Sequence, residues 1–518
     1  MRVGLIQAQA NDIQDYQNAA DKLMIMIRQT AKAHDLVLVP ECAFPAYYLE
    51  KREADIAAIL EKTTVLLNEV KMIARENRSY VAFGYVERED NRLYNTALLI
   101  DRNGNELVKK RKSYLWHIDR LWFSEGEDLA VADTDFGRIG LVICCDARSP
   151  EIVRLAALEG AALIIDLANL TATGPDIAAL HNAQSAYLLS VRALENKVWL
   201  AMADKWGVET HSITYAGRSA VYGPDGSCHY QAGSDADEIV SVDIPTDKNG
   251  KILRETNNLI PSRCPDLYKL LVEPTDSLPI KKVIEQPVII SEITPYISTA
   301  AGDLSAVDYI SMIRRLSVHG SRLICMPPSH LAIEDLRNDL CAEIPVEGMV
   351  IATMIEKGES KSYVFNKNGL ISIYQNAHKN GGKPFVLETS WGNVGILHDE
   401  EGLIPEWGRA IMLAGADCLV WPNRLSASIV TPVAKTRAAE NRMFVAVAQS
   451  GTSPSMGQII DPNGIVVAST LQEQSKQACG TYTCFANSRM KNLVPGTHVV
   501  YDRHPAAYKK LICEEQGC

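Results

Sequence analysis

The chain runs to 518 residues, 47% hydrophobic and 22% charged, with a formal net charge of −11; at about 100–250 residues per domain this means two or three domains, and the charge excludes a polyanionic partner such as nucleic acid. Twelve cysteines are scattered without a C-x-x-C pair or Cys/His ligand spacing, which excludes a zinc site and a disulfide scaffold and fits free thiols in a reducing, cytoplasmic setting. Neither a Walker nor a dinucleotide glycine motif is present, so no cofactor is expected.

In chain order, Met1–Ile6 leads straight into an apolar strand with no h-region or cleavage site, so no leader is expected. No later apolar run approaches the ~20 residues of a membrane span. Val3–Gln9, Leu36–Pro40, Tyr80–Tyr85, Thr96–Asp101 and Ile139–Cys144 read as strands. Tyr16–Ala33 and Ser149–Gly160 read as helices, the second opened by Pro150 and stopped by Gly160. Asn103-Gly104, Pro224-Asp225-Gly226, Asn368-Gly369 and Pro462-Asn463-Gly464 mark turns. The cationic run Lys109-Lys110-Arg111-Lys112 reads as a solvated strand end. The class is α/β with hairpins.

An internal repeat organises the chain. Pro150-Glu151 returns as Pro405-Glu406, and Gly160-Ala161-Ala162-Leu163-Ile164 as Gly415-Ala416-Asp417-Cys418-Leu419. Arg192-Ala193-Leu194-Glu195-Asn196 returns as Arg437-Ala438-Ala439-Glu440-Asn441, and Arg263-x-Pro265-x-x-Tyr268 as Arg503-x-Pro505-x-x-Tyr508. Domain one is expected over residues 1–272, a proline-bearing linker over 273–284, and domain two over 285–518.

Three side chains at strand ends carry the chemistry. Glu41 closes an apolar strand, where desolvation raises a carboxyl pKa towards general-base work. Lys112 ends the hairpin strand that follows Gly104 and can hold a developing oxyanion. Cys144 ends a buried strand before the Pro150 helix, whose N-terminal amides favour a thiolate. Cys42 and Cys145 read as small core residues. Each of the three, taken alone, is more often structural.

Together they resemble the nitrilase superfamily of amidases, nitrilases and carbamoylases. The matching segments are Pro40-Glu41, then Arg111-Lys112-x-Tyr114-Leu115, then Cys144-Cys145-Asp146-x-Arg148-x-Pro150-Glu151, Arg192-Ala193-x-Glu195-Asn196 and Gly217-Arg218-Ser219. The resemblance implies a four-layer αββα sandwich, with Cys144 as nucleophile, Glu41 as general base and Lys112 as oxyanion stabiliser. It implies a small amide, carbamoyl or nitrile substrate, and a possible homo-oligomer through family-type surfaces. Many members carry a further glutamate where this chain has Asp119; Asp119, Asp146 and Arg148 are the possible supporting residues, Arg148 through a structural ion pair.

The second repeat resembles the same fold without its chemistry. Pro328 stands for Glu41, Asn376 or Ala377 for Lys112, and Asp399 for Cys144. The expectation is a non-catalytic second domain, packed on the first as an internal pseudo-dimer. The expected activity is hydrolysis of a linear amide or carbamoyl group, with a nitrilase, or a non-catalytic binding protein, as alternatives.

Overall fold

The computed structural model describes residues 1–50, 53–126, 129–254, 262–451, 454–471 and 476–513. The chain divides into two compact units. Unit 1 holds Met1–Ile260 together with Val494–Thr497; unit 2 holds Pro261–Leu493 and His498–Cys518.

Unit 1 is built on two sheets. Parallel neighbours need crossovers, and the helices Tyr16–Ala31 and Thr63–Asn77 supply them between the strands Arg2–Gln9, Leu36–Phe44 and Tyr80–Glu89. Two tight hairpins then add Arg92–Ile100 and Glu106–Arg111 in antiparallel register. The other sheet is centred on Gly137–Ile143, Ala161–Leu167 and Trp199–Ala203, with the helix Pro150–Leu158 crossing between the first two. Leu36–Phe44 and Ala161–Leu167 are buried along their whole length, as strands covered on both faces must be. Leu23, Ile27 and Ile73 of the two crossover helices pack on Val37, Val39, Val81 and Phe83.

Unit 2 repeats the layering. One sheet is centred on Tyr296–Ala301, Leu323–Cys325 and Met349–Glu356, the other on Gly392–Ile396, Cys418–Asn423 and Phe444–Gln449. Ile297, Leu323 and Ile351 of the first share a core with Val394, Val420 and Ala446 of the second. Tyr309, Ile313 and Leu340 of the helices Ala306–Val318 and Ile333–Glu343 cover the first sheet's other face.

Several readings of the sequence need correction. Residues 273–284 are not a bare linker: Pro279 opens a helix over Pro279–Glu285 whose Ile280 is buried, and the units divide at Ile260, not at 272. Proline signals a break and a helix start equally well. The run Lys109–Lys112 is not a solvated end. Strand alternation turns Lys110 and Lys112 inward, each 1% exposed, while Lys109 and Arg111 pair outward with Glu87. Among the described residues ten cysteines are free and Cys513 is disulfide-bonded, against the expectation of free thiols throughout. Among the described residues, no helix is long and apolar enough to cross a membrane.

One glycine sets how closely two strands approach behind Glu41. A Cβ at Gly84 would overlap the Pro40 carbonyl oxygen and stand 2.8 Å from Glu41 Cα. Gly84→Ala should therefore push the Pro40–Glu41 backbone outward, costing about 1–3 kcal/mol in a denaturant titration, with activity lost beyond what the lowered stability explains.

Candidate active site

Glu41 lies where strand regularity fails. Pro40 has no N–H to give the ladder, and Cys42 has φ 42°. The pairing of Leu36–Phe44 with its neighbour is accordingly irregular between Val39 and Phe44. This turns the Glu41 carboxylate inward, fully buried. Its Oε1 accepts from Lys112 Nζ at 2.7 Å and from Asn95 Nδ2 at 2.5 Å, while Oε2 is buried without a partner.

Lys112 follows the strand Glu106–Arg111 directly, and its N–H still bonds Asn95 O at 2.8 Å. Its ammonium lies between two carboxylates, with Asp119 Oδ2 at 2.8 Å. Asp119 sits in a short 3-10 turn, His117–Leu121, and is itself held by Tyr47 OH at 2.6 Å and Trp116 N at 2.8 Å. Burial works against the Lys112 charge, yet Asp119 and Glu41 outweigh it and hold its pKa well above the usual lysine value. Burial raises the Glu41 pKa, Lys112 opposes that, and the Asp119 charge adds to it.

Cys144 opens the 3-10 turn Cys144–Arg148 after the strand Gly137–Ile143, at φ 48°. Asp146 builds this turn: its carboxylate accepts from Tyr114 N at 2.8 Å and Ser113 N at 3.1 Å, and reaches Ile143 N at 3.2 Å. Beneath, Arg192 donates to Ala147 O at 2.8 Å and pairs with Glu195 at 2.6 Å, both fully buried. The thiol is 7% exposed. Burial first, then the Glu41 charge, pushes its pKa well above the usual thiol value, against Lys112. The expected helix-favoured thiolate finds no support, since burial favours the protonated thiol and the helix begins only at Pro150, beyond the 3-10 turn.

Glu41, Lys112, Asp119 and Cys144 thus converge, and Asp146 stands behind them as a scaffold. Among the described residues Arg148 has no ion-pair partner, against the expectation: its guanidinium donates to Gln184 at 2.8 Å and lies 4.8 Å from the Trp116 ring centre. Gln184 also donates to Cys144 O at 2.9 Å, and Asp166 accepts from Cys144 N at 2.7 Å. Burial pushes the Asp166 pKa well up. Asn95, Asp166 and Gln184 carried no motif in the sequence; only the mapping of their elements onto the same sheet ends could have found them. Among the described residues, no group of three or more His, Cys, Asp or Glu could hold a metal ion.

A remote segment of unit 1 completes the Asp119 turn. Thr497 Oγ1 accepts from His117 N at 2.9 Å and donates to Leu115 O at 3.1 Å, 380 residues or more along the chain. Arg120 Nε donates to Gly496 O at 2.8 Å.

In unit 2 the same turn carries different chemistry. Asp399 has φ 41°, and Glu401 accepts from Ala377 N and His398 N, each at 2.8 Å. Arg437 donates to Gly402 O at 3.0 Å and pairs with Glu440 at 2.5 Å. Asp399 is itself saturated, accepting from Ser360 Oγ at 2.6 Å and Arg424 N at 3.0 Å.

The family model for carbon-nitrogen hydrolases matches residues 2–252. An omega-amidase of Bos taurus is 32% identical over 282 residues, which cover 52% of this chain and 97% of the relative. A nitrilase of Pyrococcus abyssi is 27% identical over 276 residues, 52% of this chain and 99% of the relative. An amidase from Nesterenkonia sp. has a solved structure with TM-score 0.42 and 26% identity, over 48% of this chain and 92% of that one.

Replacing Thr497 by Val keeps its shape and removes both bonds to the Leu115–His117 turn. Loss of two such bonds should cost about 1–3 kcal/mol in thermal or denaturant unfolding, and, because Asp119 is released, turnover should fall more than KM rises.

Proposed function

The chain belongs to the carbon-nitrogen hydrolase family, the nitrilase superfamily, and we propose that unit 1 cleaves small linear amides or carbamoyl compounds through an acyl-thioester on Cys144. The observation that carries this reading is the buried Glu41–Lys112 pair, 2.7 Å apart, whose charges act directly on the Cys144 thiol. Relatives named omega-amidase and nitrilase both match, so nitriles form the second arm of any substrate panel.

The proposed steps follow from the protonation states. The resting thiol is protonated and Glu41, its pKa raised, has an unpartnered Oε2 to receive the proton. As the substrate enters, sulfur bonds to the carbonyl carbon while Glu41 takes the proton. Charge develops on the carbonyl oxygen, and the Lys112 ammonium is the cation available to hold it. The C–N bond breaks as Glu41 returns the proton to the leaving nitrogen. Water, deprotonated by Glu41, then displaces sulfur and frees the acid. Asp119 keeps the lysine charged and placed throughout. The second unit is proposed to be non-catalytic, since Asp399 cannot form a thioester and Pro328 and Asn376 supply neither base nor ammonium.

Cys144→Ala should abolish ammonia release from every amide, carbamoyl compound or nitrile that the wild-type chain accepts, a fall of at least about 10³-fold. An equal rate in both proteins would remove the thiol mechanism, and no release by either from a broad panel would favour a binding protein. The base must be ionised to act, so kcat/KM should fall as pH drops through the Glu41 pKa. That acid limb should lie above the ordinary carboxylate range because the pKa is raised, and Glu41→Gln should leave only a flat residual rate. Installing Asp399→Cys in the Cys144→Ala chain should restore no release; recovery would show that unit 2 retains a working site.

A further inference from the structure

Asn169 stands just beyond the strand Ala161–Leu167 and is 4% exposed, yet among the described residues neither its Oδ1 nor its Nδ2 has a hydrogen-bonding partner. Its own carbonyl oxygen is 3.8 Å from Cys144 Sγ. Asp166, which accepts from Cys144 N through one oxygen, leaves the other buried and unpartnered. A buried amide with every hydrogen-bonding position unmet is destabilising, and native proteins keep few of them. One beside a nucleophile is retained at a position where a ligand can meet it.

The second unit tells which way a side chain at this place reaches. Strand registers match the two units: Ile139 lies opposite Leu163 and Val394 opposite Cys418, on strands leading to Cys144 and Asp399. Followed onward, Asn169 and Arg424 fall at the same place. In unit 2 the Arg424 side chain turns onto the residue at the nucleophile's position, with Nη2 3.3 Å from Asp399 Oδ2. There the reach is closed by an ion pair. In unit 1 a shorter, neutral side chain takes the position, with its amide unmet.

We infer that Asn169 is a specificity-determining residue whose side-chain amide receives a neutral group with both a donor and an acceptor, such as a second carboxamide or a ureido group, on the acyl part of the substrate. The inference rests on the amidase reading of the Cys144 site. An amide offers one acceptor and a donor pair in fixed geometry, and a carboxamide presents the reverse pattern. A carboxylate is the poorer match, because it only accepts and so leaves the buried Asn169 Oδ1 without a donor.

Butyramide, succinamide and succinamate share one chain length and differ only at the far end. The test measures kcat/KM for the three with the wild-type chain, Asn169→Leu and Asn169→Asp, the last keeping the side chain's shape without its N–H donors. The wild type should prefer succinamide, and both variants should lower the succinamide-to-butyramide ratio by about tenfold or more. An unchanged ratio, or rates for all three falling in step, would assign Asn169 to the scaffold and overturn the inference. A preference for succinamate that Asn169→Leu abolishes would also overturn it in favour of anion recognition. Calorimetry on the Cys144→Ala chain separates this from the fate of the amidase reading. Succinamide should bind about tenfold more tightly than butyramide, and the difference should vanish when Asn169→Leu is added. Equal affinities in the Cys144→Ala chain itself, or a difference that survives Asn169→Leu, would sink the inference even in an active amidase; a difference lost with Asn169→Leu would support it even if turnover of these amides were absent.

Discussion

One buried ammonium between two buried carboxylates is the constraint on which unit 1 depends. Removing Lys112, Glu41 and Asp119 from water costs several kcal/mol per ion unless each is paired and hydrogen-bonded. The fold meets this by contributions from four separate elements: Asn95 on a strand, Tyr47 on a loop, the Trp116 amide at a turn, and Lys112 at a hairpin end. The balance is deliberately incomplete in charge. Burial first raises the Glu41 pKa, and the Asp119 charge adds to that rise against the pull of Lys112. The same arrangement that stabilises the cluster therefore prepares a base. Asp119 is the smaller contributor to that rise, so its absence would remove one upward push on Glu41 and leave the larger one, burial, in place.

The two units separate scaffold from chemistry. Both hold a left-handed residue at the strand-to-helix turn, φ 48° at Cys144 and 41° at Asp399. Both close that turn with a carboxylate two residues on, and both brace it with a buried Arg–Glu pair that donates to the turn's carbonyl. The backbone strain is thus paid for by the turn's own hydrogen bonds and does not by itself mark a catalytic residue. What distinguishes unit 1 is the surroundings of the strained residue. Asp399 has its oxygens met by Ser360 and Arg424, whereas the groups around Cys144 leave Glu41 Oε2, Asp166 Oδ2 and the Asn169 amide unmet.

Legibility in the sequence followed the same division. Five strands and the helices beginning at Tyr16 and Pro150 were readable from apolar runs and turn signals, while the crossover helix Thr63–Asn77 was not; Glu41 and Cys144 were readable because each ends an apolar run, and Lys112 because it ends the hairpin strand after Gly104. Asp119 came from the resemblance, since many members carry a glutamate at that place, and its ion pair with Lys112 gives the position a physical role. The inward face of Lys110 and Lys112 was hidden because charge in a run suggests solvent, while the deciding factor was alternation along an edge hairpin. Asn95, Gln184 and Asn169 were hidden for another reason. They are neutral, and their significance lies in hydrogen bonds to elements far away in sequence. Thr497 is the extreme case, since no local pattern could connect it with Leu115 and His117.

The resting state of the thiol follows from this arrangement and bears on how the site selects. A thiolate poised in advance would be open to oxidants and stray electrophiles. Burial and the Glu41 charge favour the proton on sulfur, so on the mechanism proposed above the nucleophile is created only when a substrate carbonyl stands ready for attack. Binding must then bring the carbonyl oxygen to Lys112 and the carbon to sulfur in one movement, which makes correct seating of the acyl group a condition of reactivity as well as of affinity. Residues that hold the acyl group's far end consequently act on turnover through position. On the proposed reading, selectivity and activation are joined in a single step, the Glu41–Lys112–Asp119 cluster fixing one end of the substrate and Asn169, beyond Ala161–Leu167, the other.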